Sequence, residues 1–91
     1  MEITVLVADD MLEIIRDVAF QLNKRNDNIK VINANNGEIA FKIAQKAKPN
    51  LILMDWDMPV MNGIESMRLL KNSEETFDIP VIISNSSSTK L

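Results

Sequence analysis

Residues 51–63 read LILMDWDMPVMNG, and this stretch decides the fold. Four apolar residues, Leu51 to Met54, run directly into Asp55; Trp56, Asp57, Met58-Pro59 and Asn62-Gly63 follow. A short apolar run bounded by turn residues suits a strand buried on both faces of a parallel sheet. Pro59 cannot continue a central strand, and Asn-Gly marks a loop. Asp55 therefore ends a buried strand at its carboxyl edge, where open α/β sheets bind ligands.

Working outward, the same grammar repeats. Ile3 to Ala8 (ITVLVA) is apolar and rich in β-branched residues, a buried strand that stops at Asp9-Asp10. From Met11 to Lys24 the period changes, and Leu12, Ile15, Val18, Ala19 and Leu22 fall on one helical face. Asn26-Asp27-Asn28 is a turn, and Ile29 to Ala34 is a more polar strand, expected near an edge of the sheet. Asn35-Asn36-Gly37 breaks the chain before a second helix, Glu38 to Lys48, closed by Pro49. Beyond Gly63, the spacing of Ile64, Met67 and Leu70 predicts a third, shorter helix. A polar connection, Asn72 to Asp78, leads to Pro80 and a fourth strand, Val81 to Ser84. The order β-α-β-α-β-α-β predicts a parallel sheet with right-handed crossovers.

Composition narrows the chemistry. The 91 residues are 46% hydrophobic and 25% charged, in the range of one globular domain. A net charge of −3 gives no basic footprint for nucleic acid or an anionic membrane. No apolar run is long enough to span a membrane. There is no cysteine and no histidine, which excludes disulfides, thiolate sites and the commonest general base. Chemistry is left to carboxylates, hydroxyls, lysines, backbone groups and a hard cation.

A lone aspartate after a strand is most often a turn residue or helix cap. Here two strands end in acids, one of them in an adjacent pair, with no basic residue nearby in sequence. If those strands are neighbours, Asp9, Asp10 and Asp55 converge at one edge. Like charges that close oppose folding unless a cation sits among them, and Mg²⁺ suits oxygen ligands of this kind. A carboxylate held beside such an ion is also a competent nucleophile toward phosphorus.

Three segments together resemble the receiver domain of bacterial two-component response regulators. They are VLVADD, NANNGEIAFKIAQKAKPNLILMDWDMPVMNGIE and IPVIIS. The pattern D-x-x-M-P-x-M-x-G is complete from Asp55 to Gly63 and is the most specific of the matches. The resemblance implies a flavodoxin-like doubly wound sheet, with strands one and three adjacent. It implies that Asp55 is the phosphoacceptor, charged by a sensor histidine kinase or a histidine phosphotransfer protein. It further implies Mg²⁺ ligated directly by Asp10, with Asp9 acting through water or positioning the pair, and with Asp55 and the backbone carbonyl of Asp57 as further ligands. The implied location is the cytoplasm, and the implied role is a signalling switch rather than an enzyme.

Two departures from the family pattern follow. The switch hydroxyl expected at the end of strand four falls, by count, on Asn85, flanked by Ser84 and Ser86; Ser84 is the first candidate and Ser86 the second. The last α-β-α of the family pattern is absent, and with it the lysine that ends strand five; Lys90 lies too near strand four to replace it. Residues 1–91 thus read as a receiver domain lacking its C-terminal third, with roughly 25–35 residues needed to complete five strands. Slower phosphorylation and an impaired switch are expected. Two other readings compete. One is a non-switching scaffold fragment that self-associates through an uncovered fourth strand. The other is a haloacid-dehalogenase-type phosphatase, suggested by Asp55-Trp56-Asp57 but weakened by Met58-Pro59, where that motif normally carries Thr or Val.

Overall fold

Each apolar run of the sequence becomes a strand because only a sheet covered on both sides buries such a run completely. The computed structural model of the chain describes residues 2–84. Its elements are β1 (Ile3–Ala8), α1 (Leu12–Arg25), β2 (Ile29–Ala34), α2 (Gly37–Ala47), β3 (Leu51–Asp55), α3 (Gly63–Lys71) and β4 (Val81–Ser84). The strands form one sheet in the order β2-β1-β3-β4, and all three pairings are parallel. This is the flavodoxin-like order, and β2 lies at an edge as its polarity predicts.

Strand alternation divides the core into two layers. Leu6, Ala8, Ile52 and Met54 face α2 and α3, where Ala40, Ala44 and Leu70 meet them. Val5 and Val7 face the opposite way, with Leu51 and Leu53, toward Ile15, Val18 and Leu22 of α1. Leu6, Ile52 and Leu70 are wholly buried; each stabilises the fold by about 1.5–3 kcal/mol. Asn50 starts the β1–β3 ladder twice: its amide donates to the Thr4 carbonyl at 2.8 Å, and its side-chain oxygen accepts the Thr4 amide at 2.8 Å.

Leu12 departs from its expected place. Ile15 is buried, but Leu12 is 50% exposed. It belongs to the first turn of α1, which overhangs the carboxyl edge of the sheet instead of lying over its face. With Ile39 of α2 it borders an open cavity of about 430 Å³ that also touches Asp9, Asp10, Asn33 and Asn35.

Register places the acids. Ala8 pairs with Met54 across β1 and β3, so Asp9 leaves the sheet alongside Asp55. Adjacent parallel strands reverse neither direction nor phase, and the two carboxyl ends open on the same edge.

Candidate metal centre

Asp9 and Asp55 are 3% and 1% exposed, whereas Asp10 is exposed. Carboxylate oxygens of the three lie within 4.8 Å of one another. Asp9 also serves the turn: its Oδ1 accepts the Met11 amide at 2.9 Å, just before α1. Met11, the N-cap, offers no side-chain cap of its own. A turn role and a site role thus coexist in one residue. Asp55 is tied to the loop after it, because the Asp57 amide donates to its Oδ1 at 3.4 Å.

Three carboxylates so close repel one another, and hard oxygen donors in that number suit a hard divalent cation. The residues present fit such an ion. Asp57 is exposed at the start of the loop, and its carboxylate is not among the clustered three. Ser84 is the register partner of Asp55 on β4, and its carbonyl accepts the Trp56 amide at 2.8 Å. With Asp9, Asp55 and Ile82, Ser84 lines a cavity of about 240 Å³. Asn85, Ser86 and Lys90 lie outside the described residues.

The loop 56–62 is shaped by backbone contacts. Gly63 donates its amide to the Trp56 carbonyl at 2.9 Å, closing the loop at its base. Its φ is not positive; a Cβ there would stand 2.4 Å from the Asp55 carbonyl oxygen. Glycine is required by that close approach and not by a left-handed backbone. The left-handed residue is Val60, at φ 68. Trp56 is 46% exposed beside the site, and Met54 and Met58 are buried as packing residues. Sequence reasoning missed Val60, because a β-branched residue argues against positive φ.

Taken together, an open parallel sheet with helices on both faces and acids at its carboxyl edge defines a flavodoxin-like α/β protein with its site at that edge. Residues 5–90 match the family model of the response regulator receiver domain. The chain belongs to that family. It is 39% identical over 90 residues to a protein-glutamate methylesterase/protein-glutamine glutaminase of Clostridium acetobutylicum, covering 98% of this chain and 25% of that protein. It is 38% identical over 80 residues to the phosphate regulon transcriptional regulatory protein PhoB of Pseudomonas aeruginosa, covering 88% of this chain and 34% of that one. The chain therefore spans only a quarter to a third of these relatives' length. Among solved structures, the chemotaxis response regulator CheY4 of Vibrio cholerae superposes with a TM-score of 0.82 at 28% identity, over 99% of this chain and 76% of that chain. The response regulator domain of Thermotoga maritima CheB gives a TM-score of 0.75 at 34% identity, over 91% and 60%. Among the described residues no helix is long and apolar enough to cross a membrane. The phosphatase reading loses its footing, since the family match is to the receiver domain.

Proposed function

We propose that the chain is a phosphoacceptor module of a two-component phosphorelay, with Asp55 as the acceptor. The observation that carries this is the buried Asp55 carboxylate grouped with those of Asp9 and Asp10 at the end of β3 in a receiver-family chain. An Asp55 carboxylate oxygen forms a bond to phosphorus as the P–N bond of a donor phosphohistidine breaks. The imidazole nitrogen departs with the electron pair and takes up a proton. Asp10, Asp55 and the Asp57 carbonyl would hold Mg²⁺, with Asp9 acting through water or positioning the pair. When bound, the ion neutralises charge on the carboxylates and on the transferred phosphoryl oxygens. Ser84, the register partner of Asp55, donates its hydroxyl to a phosphoryl oxygen. Ser86 is the second candidate for that donor.

The donor partner is a sensor histidine kinase or a histidine phosphotransfer protein, and the location is the cytoplasm, as the family implies. There is no substrate turnover beyond loss of the chain's own phosphoryl group. Intact mass after incubation with a small phosphodonor tests the proposal. A phosphate-mass adduct that needs Mg²⁺, decays in base and is missing from Asp55→Asn is expected. An adduct that persists in Asp55→Asn would overturn it.

A second reading is favoured by one observation. Among the described residues β4 is an edge strand, and its Ile82 is 54% exposed. Apolar edge strands pair readily with other chains. A scaffold that self-associates there would show a concentration-dependent mass in sedimentation that Ile82→Lys abolishes, with no phosphate adduct.

A further inference from the structure

The loop after Asp55 contains a conformation that its own residues do not favour. The Met61 amide donates to the Pro59 carbonyl at 2.7 Å, a three-residue turn with Val60 at its centre and φ at 68. Val60 is β-branched and 77% exposed, so its own packing does not select this backbone. Its neighbours hold it. The Met61 carbonyl accepts the amide of Gly37, the first residue of α2, at 2.8 Å. The approach is as close as backbones allow, since a Cβ on Gly37 would stand 2.4 Å from that oxygen. The Gly37 carbonyl in turn accepts the Ser66 hydroxyl of α3 at 2.8 Å, and Ser66 is completely buried.

A continuous line thus runs from Ser66 through both backbone groups of Gly37 to Met61 and the turn at Val60. The same loop carries Asp57, whose carbonyl is assigned to the cation under the proposed function. We infer that Ser66, Gly37 and Met61 form a latch that keeps this loop in its unfavourable turn, and that Ser66 is thereby a positioning residue for the divalent-ion site. The inference deepens the phosphoacceptor reading and rests on it. If Ser66 loses its hydroxyl, the Gly37 amide loosens from Met61, Val60 relaxes to negative φ, and the loop carrying Asp57 shifts away from Asp9, Asp10 and Asp55.

A serine that only satisfied a polar site in the core would affect stability and nothing else, so the test is a cycle of Ser66→Ala, Val60→Asn and the double variant. Asn tolerates positive φ far better than Val, so a loop with Asn at position 60 keeps its shape without being held. Two quantities are read: Mg²⁺ affinity from Trp56 emission, and hydrogen exchange of the Gly37 amide without Mg²⁺. Ser66→Ala is expected to weaken Mg²⁺ binding about tenfold, the low end for losing a group that orients a metal ligand. Exchange at Gly37 is expected to accelerate about tenfold, the weight of one hydrogen bond. The double variant is expected to bind Mg²⁺ within about twofold of Val60→Asn alone, close enough for the two sites to be coupled. The latch is overturned if Ser66→Ala leaves both readings unchanged, or if the two substitutions act independently. Should Ser66→Ala not fold, Ser66→Cys preserves volume with a weaker donor and gives the same readings. If the wild type does not bind Mg²⁺, the phosphoacceptor reading fails, while exchange at Gly37 still decides the latch.

Discussion

Val60 in the loop 56–62 and Gly63 at the start of α3 use backbone geometry in opposite ways. Gly63 has an ordinary backbone but no room for a side chain, because the Asp55 carbonyl occupies that space. Gly63→Ala must push β3 or the helix start aside, and about 2–3 kcal/mol of stability should be lost in urea unfolding. Val60 has room, being exposed, but the wrong backbone. Val60→Asn should therefore stabilise by about 1 kcal/mol, which raises the melting temperature by about 4–8 °C in a domain of this size. Neither requirement was legible in the sequence. Asn62-Gly63 signalled a loop correctly, yet the reason for the glycine is an oxygen that only the folded β3 brings near. The strain at Val60 contradicts the residue's own preference, and only contacts from α2 explain it.

At the level of elements, strands were easier to read than helix ends. The limits of β1, β2 and β4 coincide with the expected ones, because turn residues bracket the runs: Asp9-Asp10 after β1, Asn26-Asp27-Asn28 and Asn35-Asn36-Gly37 around β2, and Pro80 before β4. Helix ends moved by a residue. α1 runs Leu12–Arg25 and α2 runs Gly37–Ala47, since caps, not apolar spacing, decide where helices begin and stop. Asn36 caps α2 by accepting the Ile39 amide at 2.9 Å, which brings Gly37 into the helix. For α3 the signal was present but was read only as a turn: Asn62 and Glu65 cap each other reciprocally, with the Glu65 amide 2.9 Å from the Asn62 oxygen. Asn62→Ala should cost about 1 kcal/mol in denaturant unfolding. Because α3 begins where the loop 56–62 ends, the same variant should also raise hydrogen exchange at the Gly63 amide. A loss of stability without that local change would mean that α3 and the loop are anchored separately.

For the whole molecule, the site exists only because of strand order. Asp9-Asp10 and Asp55 are far apart in sequence and meet because β1 and β3 are adjacent and parallel, a placement inferable from crossover handedness and family resemblance but from no single segment. Folding therefore gathers three carboxylates at one edge, and an ion that binds there binds only the folded chain. Such an ion stabilises by about 2.7 kcal/mol when its concentration is a hundredfold above its dissociation constant, and further in proportion to the logarithm of concentration. Asp10→Asn removes a charge from the cluster. Without divalent ions it should be at least as stable as the wild type, because one source of repulsion is gone. With Mg²⁺ the order should reverse, since the wild type gains from the ion and the variant gains little. Melting both proteins across a Mg²⁺ series, with ionic strength kept constant by NaCl, separates binding from screening. Crossing curves would show that the acids oppose the fold alone and support it with the ion. Parallel curves of equal slope would mean that Mg²⁺ acts on surface charge in general, and the three aspartates would lose their claim to be its site.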